Sequence, residues 1–329
     1  MRSREARSRV LITDHVFDGL EIEHELLEPL GVEVVLAPQA DEETLVELCQ
    51  EGVDALLVCF APVNGRVVQA AADNGCRLIA RYGIGYDNVD VETASRNGIV
   101  VTRVPDYCLD EVADHALGLL LCAARGIGAG QAEVRRGGWT VPRDVYRLRG
   151  RRLALIGVGQ IGARLAARAA PLGFEIVGFD PFLKDWPAEI GRVETFDEAI
   201  ATADAISLHA PLTAENRHII GNAAIAKMQR RPIVVNTARG GLVDLEAAAA
   251  ALDDGRISAL ALDVVDPEPL PLGHPLRDHP RAIITPHMAF FSVEAERELQ
   301  RRATLEVVRA LTGEPPDVPV NQEAVRAAS

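Results

Sequence analysis

The 329-residue chain carries 34 Lys+Arg against 48 Asp+Glu, a formal net charge of −14, with 48% hydrophobic and only 4% aromatic residues. That balance argues against a nucleic-acid or anionic-membrane partner and leaves room for a local basic patch around an anionic substrate. The length predicts two domains with ample core. The five cysteines (Cys49, Cys59, Cys76, Cys108, Cys122) show neither CxxC nor zinc spacing, and most sit in apolar runs. They are expected as reduced, buried thiols of a cytoplasmic protein without a metal site.

The N-terminus is basic (Arg2, Arg4, Arg7, Arg9), but Val10–Ile12 is too short for a signal-peptide core, and the first eight residues are read as a disordered tail. Apolar runs follow at Val10–Thr13, Val32–Leu36, Ala55–Cys59, Leu78–Ala80 and Ile99–Val101. Helical patterns lie between them at Leu20–Leu30, Glu43–Gln50, Arg66–Asp73 and Val91–Arg96. Short buried strands alternating with helices predict a parallel sheet with right-handed crossovers. The fourth run leads into Arg81-Tyr82-Gly83-Ile84-Gly85, whose glycines expose backbone amides that suit an anion or, equally, a plain turn. Leu109–Arg125 reads as a helix apolar nearly all round, hence buried between domains or at a subunit interface. His115 inside it is read as structural. Residues 137–150 read as an irregular, Arg-rich connection.

A second α/β unit opens with Leu153–Ile156 and the loop Gly157-Val-Gly159-Gln-Ile-Gly162, followed at once by a helical pattern. Gly157 permits the tight turn, Gly159 lets a pyrophosphate approach the backbone, and Gly162 lets the helix pack on the strand. The next run, Phe174–Phe179, ends in Asp180, where an acid meets adenosine ribose hydroxyls and repels a 2′-phosphate. NAD is therefore expected over NADP. Further strands are predicted at Ala205–Leu208, Ile233–Asn236, Ile257–Asp263 and Ala282–Thr285, and a last helix at Val293–Leu311.

Arg239, Glu268 and His287 each follow a predicted strand, on the edge that carries the glycine loop. A guanidinium fork, a carboxylate and an imidazole beside a dinucleotide suit hydride transfer next to a substrate carboxylate. Arg239 binds the acid, His287 moves the hydroxyl proton, and Glu268 orients His287.

Together, Arg81 to Asp90, Gly157 to Gly162, Asn236-Thr-Ala-Arg-Gly-Gly-Leu-Val-Asp244, Asp263 to Pro269 and Thr285-Pro-His287 resemble the D-isomer-specific 2-hydroxyacid dehydrogenase family over nearly the whole chain. Phe179-Asp-Pro-Phe182, Pro275 to Pro280 and Ala310 to Asp317 are most similar to its C-terminal-binding-protein-like branch, with phosphoglycerate dehydrogenases next. The resemblance implies two doubly wound α/β domains with a cleft between them: a flavodoxin-like substrate domain of residues 1–102 and 291–329, and an NAD-binding Rossmann domain of 103–290. It implies NAD contacts at Gln160, Ile161, Asp180, Ala210, Thr237, Arg239, Asp263 and His287, besides the loop glycines. It implies substrate contacts at Arg81, Tyr82, Gly83, Ile84, Arg239 and His287, and a homodimer through the nucleotide domain. Phe290 stands where corepressor-like relatives carry Trp, so the substrate's side-chain pocket is expected to differ. The expected activity is NAD-dependent interconversion of a small D-2-hydroxy acid and its 2-keto acid, or of a phosphonate or phosphate-bearing analogue. The alternative is an NAD(H)-responsive dimeric scaffold with little turnover.

Overall fold

The computed structural model describes residues 7–141 and 145–322. Most of the expected N-terminal tail, and residues 142–144 of the expected irregular connection, lie outside the described residues. Ser8 already belongs to the fold, because its carbonyl accepts the Glu33 amide at 2.8 Å. Two compact units are formed, one from Met1–Tyr107 with Ser292–Ser329 and the other from Cys108–Phe291.

Unit 1 alternates strands and helices as β1 (Arg9–Ile12), α1 (Glu21–Leu27), β2 (Glu33–Leu36), α2 (Glu42–Gln50), β3 (Ala55–Val58), α3 (Gly65–Asp73), β4 (Leu78–Arg81), α4 (Val91–Arg96) and β5 (Val100–Thr102). The strands form a parallel sheet in the order β2-β1-β3-β4-β5. Ala55–Val58 is apolar throughout because a strand inside a parallel sheet is covered on both faces. Side-chain caps start three of the helices: Asp41 accepts from the Thr44 amide, Asn64 from Arg66 and Val67, and Asp90 from Thr93.

The C-terminal helix (Val293–Thr312) belongs to unit 1. It starts on a Ser292 cap and stops at Gly313, where φ is 80°. Its Gln300 reaches the Gly19 carbonyl at 3.0 Å and the fully buried Glu23 at 3.1 Å. Asn321 then accepts the Val101 amide at 2.8 Å and donates to Ile99 at 2.9 Å, tying the tail to β5. The first boundary lies five residues beyond the expected one because Val104 N–H bonds the Gly83 carbonyl and Arg103 N–H the Val318 carbonyl. Asp106 also pairs with Arg302 at 2.7 Å.

Unit 2 runs through α5 (Leu109–Ala124), α6 (Ile127–Arg135), β6 (Arg152–Ile156), α7 (Gln160–Ala169), β7 (Glu175–Phe179), β8 (Gly191–Arg192), α8 (Phe196–Ala201), β9 (Ala205–Leu208), α9 (Asn222–Ile225), β10 (Ile233–Asn236), α10 (Leu245–Asp253), β11 (Ala259–Leu262) and β12 (Ala282–Ile284). Its parallel sheet has the order β12-β11-β10-β9-β6-β7-β8. Strand order reverses beside β6, which opens a crevice at the C-terminal ends of β6 and β9. The burial of α5 is met within this unit, where Ala113, Ala116, Leu119 and Leu120 pack with Leu153, Leu155, Leu165 and Val235. Helix α6 and the two-residue edge strand β8 were not expected; both are short, and neither shows an apolar stripe. No single helix among the described residues is long and apolar enough to cross a membrane.

Candidate active site

The crevice of unit 2 is made by close backbone approach. At Gly157 φ is 93°, and a Cβ there would lie 2.7 Å from the His209 carbonyl carbon and 2.9 Å from the Ala210 nitrogen. At Gly162 a Cβ would lie 2.5 Å from the Gly157 carbonyl oxygen, so the first turn of α7 seats directly on the loop. At Gly159 nothing lies within 4 Å, leaving open space before the helix N-terminus. Gln160 and Ile161 open α7, and Ala210 lines the crevice from the β9 side.

Asp180 ends β7 with its Oδ2 accepting the Val158 amide at 3.0 Å, which fixes the carboxylate beside the glycine loop. Its Oδ1 accepts the Phe182 and Leu183 amides at 3.0 and 3.1 Å. Thr237, just past β10, has a buried Oγ1 with no partner among the described residues. A dinucleotide cradle with an open glycine, an acid at its rim and an orphan hydroxyl at its floor fits NAD.

The side chains expected to do chemistry stand on the next three strand ends. Asn236 is fully buried; it donates to the Arg239 carbonyl at 2.8 Å and accepts the Ala238 amide at 3.0 Å, building the turn that presents Arg239. The Arg239 Nη1 donates to the Ala238 carbonyl at 2.7 Å. A Cβ at Gly240 would fall 2.0 Å from the Val265 carbonyl oxygen, so the loops after β10 and β11 are pressed together. Glu268 accepts the Val265 amide at 3.1 Å on Oε1, and its Oε2 lies 2.8 Å from His287 Nδ1. Burial pushes the Glu268 carboxyl up. The His287 hydrogen bond and charge, then the Val265 amide and the Arg239 charge, outweigh that and hold it below the usual carboxylate range. An ionised carboxylate only accepts, so Nδ1 of His287 carries a hydrogen.

His287 sits in the left-handed region with φ at 52°, a costly conformation for a non-glycine residue. It is held there by its amide, which bonds the Asp263 and Thr285 carbonyls at 2.8 and 3.0 Å. Asp263, expected as a cofactor contact, has a buried side chain whose oxygens accept the Thr285 hydroxyl, the Met288 amide and the Ala289 amide at 2.6, 3.0 and 2.8 Å. It anchors the His287 loop. Since the Thr285 hydroxyl donates to Asp263, it accepts from His115 Nε2 at 3.0 Å, which sets the His115 tautomer. Reading His115 as structural matches this placement, but its specific task of bracing the Thr285–Asp263 pair carries no local sequence signal. Phe290 meets the His287 ring edge-on at 6.4 Å.

In unit 1 the loop after β4 is built from Arg81, Tyr82, Gly83 and Ile84. The Tyr82 amide bonds the Val58 carbonyl at 2.8 Å, and its hydroxyl donates to buried Glu23 at 2.8 Å. Tyr82 is thus a core residue of unit 1 and offers a substrate neither group. The Gly83 amide bonds the Arg81 carbonyl at 3.0 Å. Arg81 donates to the Tyr82 carbonyl at 2.5 Å, with its guanidinium carbon 5.8 Å from the Phe60 ring centroid.

Residues 117–289 match the family described as D-isomer specific 2-hydroxyacid dehydrogenase, NAD binding domain. D-3-phosphoglycerate dehydrogenase of Methanocaldococcus jannaschii is 38% identical over 93% of this chain; the chain spans 58% of that relative's length. Glyoxylate reductase of Thermofilum pendens is 33% identical over 98% of this chain and 96% of its own. A crystal structure of a Thermus thermophilus protein superposes with a TM-score of 0.86 at 34% identity, covering 95% of this chain and 99% of that one. The chain therefore belongs to the D-isomer-specific 2-hydroxyacid dehydrogenase family, as an NAD-dependent enzyme of hydroxy-acid oxidoreduction.

Proposed function

We propose that the enzyme interconverts a small D-2-hydroxy acid and its 2-keto acid, with His287 as the acid–base group. The observation that carries this reading is the 2.8 Å His287 Nδ1–Glu268 Oε2 contact, on the strand edge that also bears Arg239. Bound NADH supplies the hydride that reduces C2 of the keto acid. His287 gives its Nε2 proton to the developing alkoxide, and in the reverse direction the neutral ring takes that proton back. Glu268 holds the ring by Nδ1 and stabilises the imidazolium. Arg239 grips the substrate carboxylate in two-point fashion and polarises the carbonyl. Gly157, Gly159, Gln160, Ile161, Gly162, Asp180, Ala210 and Thr237 would hold the dinucleotide, and Asp263 acts through the loop it anchors. Arg81 and Ile84 are further substrate contacts in this reading, and Gly83 shapes their loop. Glyoxylate and phosphoglycerate, which the relatives' names carry, bound the class as small 2-keto or 2-hydroxy acids, with or without phosphate. A homodimer formed through unit 2 belongs to the same reading, supported by the exposed Ile127 and Val134 on α6 and by exposed Trp139. The test is NADH oxidation across a panel of 2-keto acids and phosphonate analogues. Saturable turnover with one of them supports the reading. Tight NADH binding with no substrate-dependent oxidation anywhere in the panel would favour a scaffold.

A further inference from the structure

The opposite edge of the unit 2 sheet holds a second feature. A cavity of about 150 Å³ is lined at the N-terminal ends of β6, β9, β10, β11 and β12. With four-residue strands, this edge lies roughly 13 Å from the one that carries the catalytic residues. Arg147, Arg151, Arg230, Arg231 and Arg281 line the cavity, and Asp204 is the one acidic residue in its lining. Five arginines against one aspartate in the lining are out of keeping with a chain whose formal charge is −14.

The site is built from within. Asp204 is bound to Arg151 at 2.8 Å and to the Arg152 amide at 2.9 Å, with Arg230 at 3.5 Å. Its charge is therefore already shared. Arg231 donates to the Gly255 carbonyl at 2.5 Å from a left-handed backbone, with φ at 49°. Arg281 is anchored on the Leu252 carbonyl. Arg151 stacks over Tyr146, its guanidinium carbon 5.3 Å from the ring centroid. These bonds fix the Arg231 and Arg281 guanidiniums at carbonyls of residues outside the lining and Arg151 beside Asp204, while Arg147 and Arg230 are exposed at the cavity. The remaining wall, including Leu120, Phe174 and Ala259, is apolar.

We propose that this cavity binds a small phosphate monoester, at a site separate from the catalytic one. Several forks from separate segments suit a dianion with three or more acceptor oxygens, whereas a lone carboxylate engages one fork. The apolar wall accommodates a short carbon chain, and the cavity volume limits it to a few atoms.

The experiment is calorimetric titration of inorganic phosphate into the full chain saturated with NADH, with chloride at matched ionic strength as the control. One saturable site is expected, weakened at least about tenfold in the double variant Arg147→Gln/Arg230→Gln and retained in Arg239→Gln. Both replaced side chains are exposed. Arg147→Glu alone serves as the second variant and should also weaken binding about tenfold. Absence of saturable heat, equal affinity in the cavity variants, or loss of the site in Arg239→Gln instead would overturn the proposal.

Discussion

The hydroxyl of Thr285 donates to Asp263 Oδ1 at 2.6 Å while accepting from His115 Nε2 at 3.0 Å, so a half-buried chain of three side chains braces the turn that carries His287. Thr285→Val keeps the shape and removes the hydroxyl. It leaves the buried Asp263 carboxylate and the half-buried His115 ring each short of a partner, at a cost of about 1–3 kcal/mol. Denaturant unfolding should show that loss. The His287 turn should also loosen, lowering kcat more than it raises the KM for NADH.

Arg239→Lys retains the charge and loses the planar fork. A fall in kcat/KM of about 10²-fold is expected, because positioning and carbonyl polarisation both suffer. NADH affinity, measured by fluorescence titration, should change far less. Normal turnover would place the carboxylate elsewhere, with Arg81 the first residue to test.

His287→Ala should nearly abolish turnover in both directions with NADH binding largely intact. In the wild type, reduction requires the imidazolium and oxidation the neutral ring, so the two directions should show opposite pH limbs. The pairing also has a stability signature. Glu268 is held below its usual value of 4.5, so its contribution is present above that pH and lost as pH falls through the depressed value. The melting-temperature gap between wild type and Glu268→Gln should shrink as pH falls below about pH 4.5. A gap that widens in acid would contradict the pairing.

His209, immediately after β9, has its Nε2 2.9 Å from Ser207 Oγ, and loss of water around the ring lowers its pKa from 6.5 to about 4. Between those values the unfolded chain binds a proton that the folded chain refuses. Stability should therefore rise with pH across that window and be fully present above 6.5. The contribution is up to about 3 kcal/mol. Urea midpoints measured at about pH 4.5 and 7 check it, and His209→Gln should flatten the difference.

Asp180 is pinned by the Val158 amide at 3.0 Å and presents a fixed negative charge at the cradle's rim. A clear preference for NAD over NADP in kcat/KM is expected. Asp180→Ser should reduce that preference at least about tenfold, because it removes both the ribose acceptor and the repulsion of a 2′-phosphate. Equal efficiency with both cofactors in the wild type would overturn the assignment.

Much of this was legible in one dimension. Buried parallel strands are short apolar runs, so β3, β9 and β10 appear in the sequence nearly residue for residue. The glycine loop is legible because its backbone contacts forbid side chains at fixed spacing, as the close approaches at Gly157 and Gly162 show. Arg239, Glu268 and His287 could be singled out because each follows a strand, and parallel topology puts all strand ends on one edge. Contacts between distant segments carry no such pattern. Asp263 has three partners in residues 285–289, so the residue expected as a cofactor contact is also the anchor of a loop. Tyr82 lies in a motif that reads as a substrate loop, yet Glu23 and Val58 claim its hydroxyl and amide. Five arginines scattered between positions 147 and 281 look like ordinary surface charge until the sheet gathers their strand starts around one cavity. Local backbone geometry and burial set the elements and the motifs. Which polar groups satisfy one another is decided only when the chain has closed on itself, because that depends on distances the sequence does not encode locally.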